Sequence, residues 1–284
     1  MKLSPALEAL VNAAQCCPGP VPAPSHIQDV FSSIEQEASA RRLNRWLWLA
    51  VSTATVMTIS SPEAMADLFR YTITSSPLSE RVAVAEFMRE IGLRCLGING
   101  LPRTINMLDA FRASLPLPVA DLLRNAPWRC PSVPGVESRR PAVAGRRLWE
   151  QIHHPTHANL EKMLEAAHPD LPSVVVDNVY GTIFADPTDP TGTRIGRITL
   201  SLFAIACLRA QQRVGSQLLG HIHGLKKAWD DGSWTSDPHA GTEDAVRWLV
   251  SDEGCIWVLT KVDQLVEALG EGEAGTSGPV SAKL

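Results

Sequence analysis

The side chains of this chain that could move a proton or hold an acid gather near two glycine breaks. His221 follows Gly215 by six residues, in GSQLLGHIHG. An imidazole titrates near neutrality and can take and return a proton, as decarboxylation or lactone isomerisation requires. Its other reading is a core histidine hydrogen-bonded to backbone. His223 comes two residues later, about 200° around a helix, and so cannot share His221's face. It is read as a binding residue, or as a subunit contact or solvated side chain. Glu90 sits in an apolar stretch, where a carboxylate is either a proton relay or half of an ion pair with Arg89, Arg94 or another helix. Arg209 closes the apolar run FAIACLRA and could grip a substrate carboxylate in bidentate fashion. Its alternative is a cation offsetting a helix C-terminus. Arg103 and Asn106 after Gly100, and Gln217 after Gly215, could anchor an anion beside helix N-terminal amides. Tyr180 lies in an apolar helix; its hydroxyl either points into a pocket or makes one hydrogen bond in a packed core.

Other chemistry is poorly supplied. His153, His154 and His157 form the cluster HHPTH, but Pro155 interrupts it and only Glu150 and Glu161 lie nearby to complete a ligand set, so no metal site is expected. The six cysteines include no C-x-x-C pair. Cys95, Cys207 and Cys255 lie in apolar runs and read as small buried hydrophobes in a reducing compartment. Cys16-Cys17, before Pro18, is read as part of a mobile segment. A thiol peroxidase built on Cys95 or Cys207 is disfavoured, because neither has a resolving cysteine near it in sequence. No cofactor is expected.

The elements that must position these residues are helices. With 284 residues, 45% hydrophobic and 20% charged, the chain can bury a large core, and a net charge of −4 without a basic cluster argues against nucleic acid. The apolar run Trp46–Ser60 is too short to span a bilayer, and no secretory signal is visible, so a cytoplasmic protein is expected, with the mitochondrion as the alternative. Helical periodicity dominates and period-2 strands are nearly absent. Helices are expected at 4–15, from His26, at 40–59, 62–72, 79–97 and 101–115, and then at 156–167, 171–184, 194–213, 216–231, 242–251 and 256–269. Ser61-Pro62-Glu63 is a clear start signal. Residues 116–145 hold six prolines and are read as a connector interrupted by one short helix at 118–125. Residues 1–25 form an N-terminal segment, 26–260 a single domain, and 270–284 a disordered tail. The two halves, about 40–115 and 146–260, each present a long helix, a glycine break and a polar residue six positions on, which suggests two related helical-hairpin modules.

MREIGLRCLGINGLPRTINML (88–108) and RITLSLFAIACLRAQQRVGSQLLGHIHGLKKAWDDG (197–232) resemble the carboxymuconolactone decarboxylase and alkylhydroperoxidase D-like superfamily, including a fungal branch described as conserved mitochondrial proteins. The first segment is similar to the decarboxylase-type half, with Arg-Glu, an apolar helix, Gly-x-Pro-Arg and Asn; the second is similar to the other hairpin. The resemblance covers about residues 40–250 and implies an all-α bundle of two pseudo-repeated hairpin modules, assembled as a homo-dimer or trimer. The family's C-x-x-C-x-x-H motif is lost. Its cysteines would fall at Gly215 and Leu218 beside His221, or at Gly100 and Arg103 beside Asn106. A thiol redox cycle is therefore not expected. Two readings follow. One is a cofactor-independent lyase or isomerase acting on a small organic acid, lactone or secondary-metabolite intermediate. In it His221 is the acid/base, Glu90 a relay, and Arg209 or Arg103 the carboxylate anchor. The other is a non-catalytic binding or scaffold protein that keeps the fold. The proximity of His221, Glu90 and an arginine around one pocket separates them.

Overall fold

The computed structural model describes residues 3–13, 19–127, 129, 140–187 and 192–276. The expectations for Cys16-Cys17 and for residues 277–284 lie outside these. The described residues are all-helical, with no strand.

Two helices that are apolar on every side form the centre. In α3 (Arg45–Ile59) each residue from Leu47 to Thr58 is buried, and in α11 (Arg197–Gln211) each from Arg197 to Leu208. A helix with no polar face must be covered all round, and these two pack against each other. Two of the hydroxyls inside α3 are absorbed locally: Thr55 and Thr58 donate to the carbonyls of Val51 and Ala54, four residues back, whereas those of Ser52 and Thr53 are buried without a partner. Around this pair lie α2 (Ile27–Ala40), α4 (Pro62–Thr72), α5 (Leu78–Arg94) and α14 (Asp252–Thr276). α4 begins where the sequence signals it, with the Ser61 side chain accepting from Ala64 N–H and Pro62 as first helical residue. α1 (Pro5–Val11) has no buried residue.

The chain reverses at both glycine breaks. α5 continues through the single turn α6 (Leu96–Asn99) to Gly100, whose φ of 83° suits a residue without Cβ, and then into α7 (Leu101–Ser114). α11 reverses into α12 (Gly215–Asp230) through Gln212 and Arg213, at φ 61° and 58°. The second break therefore falls just before Gly215, which opens the following helix. α8 (Leu117–Ala120) covers α5.

Several boundaries differ from expectation. α3 starts at Arg45 because Arg42, at φ 57°, turns the chain and Asn44 caps the next helix through Trp46 N–H. The connector ends earlier than its prolines suggest: α9 (Arg140–His153) begins inside it, with Pro141 in its first turn, where a missing N–H costs nothing. Residues 173–184 form a helix as expected, but Ser173–Phe184 winds with the wider π repeat. α14 runs past residue 270 to Thr276. α10 (His157–Ala167) and the short α13 (Glu243–Leu249) complete the set.

α9 and the π-helix cross at their backbones. A Cβ on Gly145 would collide with the Val176 carbonyl oxygen, and one on Gly181 with that of Pro141. Gly→Ala inside a helix ordinarily stabilises it by about 1 kcal/mol. Here Gly145→Ala is expected to destabilise the chain by about 1–3 kcal/mol through overpacking, read as a lower urea midpoint. A midpoint that rises would mean the two helices are not in backbone contact.

Candidate functional site

Four helices converge on one buried polar cluster. α9 supplies Trp149 and His153, the π-helix Tyr180, α11 Arg197 and Ser201, and α12 His221 and Gly224. Close approach of α9 to α12 depends on Gly224, while Gly220 one turn earlier has room for a Cβ. A Cβ on Gly224 would sit 2.9 Å from the Ile152 side chain, and one on Gly220 3.6 Å from the His153 ring. Gly145, Trp149, Ile152 and His153 share one face of α9, so that face points inward and carries His153 with it.

The Tyr180 hydroxyl lies between two imidazoles, 2.9 Å from His153 Nε2 and 3.4 Å from His221 Nε2. One hydroxyl can donate to one ring and accept from the other, so the three groups form a proton-ordered chain. Trp149 packs edge-on to Tyr180, with ring centroids 5.0 Å apart. His221 Nδ1 is buried and has no hydrogen-bond partner. Burial lowers His221 to a pKa of about 3, helped by the charges of His153 and Arg197. Burial also lowers His153 to about 4, with Lys227 and Arg197 adding to it. Burial pushes the Tyr180 hydroxyl well above its ordinary value. All three groups are therefore neutral at pH 7. A neutral imidazole is a weak base but an effective hydrogen-bond donor.

Arg197 is the charge of this cluster. Its guanidinium donates to Ser201 Oγ at 2.7 Å and to the Gly224 and Gln151 carbonyls at 2.8 and 3.4 Å, while its Nε is buried without a partner. No described carboxylate makes an ion pair with it, although the Asp231 and Asp237 charges favour its charged form from farther off. Burial lowers its pKa to about 10, so it remains a cation at pH 7. It is the first residue of α11, where a positive charge opposes the helix dipole. Two carboxylates offset that helix end. Asp237 accepts from Thr199 N–H at 2.8 Å, and Asp186 from Ile195 and Gly196 N–H at 3.0 and 3.1 Å. Arg197 lines an open cleft of about 690 Å³ together with Arg94, Arg147, Arg194 and Asp186. Four guanidiniums against one carboxylate leave the lining with a net charge of +3.

The expected site residues do not converge. Tyr180 and His221 meet, with His153 as a third partner. Glu90 belongs to another cluster: Arg94 donates to it at 2.9 Å, and Arg129 grips both its oxygens. Arg94 also donates to Asp186 at 2.5 Å and to the Phe184 carbonyl. Phe184 stacks edge-on to Tyr180 one turn along the π-helix, and Arg94 and Asp186 of this second cluster line the same cleft as Arg197, although Glu90 does not. Glu90 borders a different cleft, of about 870 Å³, with Arg89, Asp109 and Arg112. Arg209 does make a bidentate carboxylate contact, but its partner is Asp263, with both bonds at 2.7 Å on the surface. Arg103 donates to the Thr58 carbonyl at 2.9 Å. Asn106, Gln217 and His223 are exposed. His154 and His157 stack on each other, away from the inward-facing His153.

Sequence reasoning does not single out Arg197, Arg147 or Arg194, and it sets His153 among the metal candidates. The signal for His153 is the spacing to Trp149 and Ile152, visible only once α9 is recognised as a helix. Arg197 carries a weaker one, a cation at the N-terminal end of an apolar helix. Among the described residues no helix is long and apolar enough to cross a membrane. Set against known protein families, characterised proteins and solved structures, the chain matches none.

Proposed function

We propose that this chain binds a small organic acid in the Arg197 cleft, as a binding protein with no chemistry of its own. A single observation carries this reading: a buried guanidinium with no described carboxylate partner lines a cleft of net positive charge. Removing such a charge from water is costly unless an anion compensates it. Arg147 and Arg194, both exposed, would close on the ligand from the rim. Neutral His153, Tyr180 and His221 lie buried on the far side of Arg197 and do not line the cleft.

The test is calorimetric titration and thermal shift with acetate, succinate, benzoate and muconate, with inorganic phosphate alongside. At least one carboxylate is expected to bind, more weakly in high salt. Arg147→Gln and Arg194→Gln are each expected to weaken it about 3–10-fold, the range of one partly exposed charged hydrogen bond. If no carboxylate binds at millimolar concentration, or if both variants bind as tightly as the parent, the reading fails. Binding of phosphate alone would also overturn it.

A second reading is favoured by the tyrosine held between two imidazoles. It is the cofactor-independent lyase or isomerase, with neutral His221 donating to a developing oxyanion. Turnover of a carboxylate or lactone that vanishes in His221→Gln while binding persists would replace the first reading with this one. The all-helical build and the hairpins α5–α7 and α11–α12 support kinship with the carboxymuconolactone decarboxylase class. The exposed Leu101, Ile105, Leu117 and Leu122 support a homo-oligomer.

A further inference from the structure

Cys95 and Cys207 are 112 residues apart in sequence, one in each hairpin, yet their sulfurs lie 3.5 Å apart in the core. Both side chains are fully buried. Cys207 Sγ also lies 3.9 Å from the Ala54 carbonyl oxygen, so α3, α11 and the α5–α6 junction meet at this pair. A sulfur pair at van der Waals distance must close by roughly 1.5 Å to reach the disulfide bond length. Side-chain rotation about the two Cα–Cβ bonds is the motion that would bring them together.

We propose that Cys95 and Cys207 are an oxidisable dithiol, which a low-molecular-weight disulfide converts to an intramolecular cross-link joining the two hairpins. One thiol, deprotonated, attacks the small disulfide R–S–S–R and releases one R–SH. The second thiol then attacks the mixed disulfide, the Cys95–Cys207 bond forms, and the second R–SH leaves. Two electrons and two protons pass from the protein to the reagent.

The neighbouring chain supplies the entry. Cys95 is followed directly by the one-turn α6, and residues 96–100 are all half-buried or exposed. Opening that single turn would bare Cys95 at the cost of the Asn99–Thr58 bonds to α3 and the Gln211 bond to the Ile98 carbonyl, while the α3–α11 packing itself stays in place. The hydrogen bond to Cys207, and then burial, hold the Cys95 thiol well above its usual value, so exchange depends on this opening and is slow in the closed fold. α6 also touches the binding region. A Cβ on Gly97 would fall 2.7 Å from Val179 and Phe184, the π-helix neighbours of Tyr180. The cross-link would fix α6, and through it that end of the π-helix.

The experiment uses the full chain with Cys16, Cys17 and Cys130 changed to serine and Cys255 to alanine, incubated under native conditions with oxidised glutathione. The expected product has lost the mass of two hydrogens, yields a peptide pair linking Cys95 to Cys207, and unfolds roughly 5–15 °C higher than the reduced protein. The proposal is overturned if a glutathione adduct persists unresolved, if both thiols remain free, or if the pair forms only in denaturant. If the variant does not fold, peptide mapping of the unsubstituted chain after the same treatment decides between the same outcomes. There, a Cys95–Cys207 peptide pair supports the proposal and cross-links confined to other cysteines overturn it.

Discussion

Glu90→Ala is expected to cost about 3–5 kcal/mol of folding stability, the usual penalty for removing one partner of a buried ion pair. The reason is what it leaves behind. Arg94 is fully buried and Glu90 nearly so. Without the carboxylate, Arg94 keeps only Asp186 and the Phe184 carbonyl, and Arg129 loses both oxygens it grips. Glu90→Gln keeps the shape but not the charge, and is expected to fall in between, at about 2 kcal/mol. Urea denaturation at pH 7 reads both. A proton relay would behave otherwise: Glu90→Gln would leave the midpoint in place and remove only turnover. A loss under about 1 kcal/mol for Glu90→Ala would restore the relay reading and count against the ion-pair account.

The second large effect is acid instability centred on the buried imidazoles. His221 and His153 fall to about 3 and 4 in the folded chain, against about 6.5 for a free histidine. Below pH 6.5 the unfolded chain therefore binds protons that the folded chain refuses. Stability falls as pH drops toward 4, by about 1.4 kcal/mol per pH unit for each histidine. Asp237 runs the other way. Burial raises it to about 6 despite its donors, so between pH 6 and its ordinary value the folded chain binds the extra proton and gains stability. Asp186 sides with the histidines. Burial opposes its ionisation, but the Arg94 charge and the Ile195 and Gly196 N–H groups outweigh that and hold it below its ordinary value. His153 and His221 against Asp237 leave a net loss of roughly 3–4 kcal/mol by pH 4, to which His239, also lowered by burial, adds. Denaturant midpoints measured from pH 7.5 to 4 should show it, and His153→Gln/His221→Gln should flatten the slope. A double variant as acid-labile as the parent would place the effect elsewhere.

How much of this is legible in the sequence depends on whether the deciding signal is local. α4 announces itself through Ser61 and Pro62, and α3 and α11 through unbroken apolar runs, because caps and burial patterns act within a few residues. α9 is hidden because Pro141 and the five prolines before it read as connector, although a proline in a first helical turn is tolerated. That omission hides His153: His153, His154 and His157 are alike as residues, and only the face of α9 sends the first inward. For Glu90 the sequence narrows the choice to relay or ion pair. Its partners, however, include Arg129 from the connector and, through Arg94, Asp186, 96 residues from Glu90, and no spacing rule reaches that far. Arg209 shows the same limit from the other side. Its bidentate grip is expected from its residue type, and its partner is Asp263 of the same chain.

The winding of residues 173–184 has a consequence for how the site tolerates change in chain length. Each residue of an α-helix advances about 100° around the axis, and the wider π repeat advances less. Over the seven steps from Ser173 to Tyr180 the difference accumulates, so the azimuth of the tyrosine is set by winding mode as much as by position. The segment works as a vernier: α9 meets it at Gly181, α6 meets it at Val179 and Phe184, and the surplus per turn lets Tyr180 face both imidazoles between those fixed points. Loss of one residue upstream would be absorbed by reverting a turn to α winding, at the cost of swinging the hydroxyl out of phase with its partners. Sequence length across this segment is thus a coordinate of the site, as substitutable residues elsewhere in the helix are not.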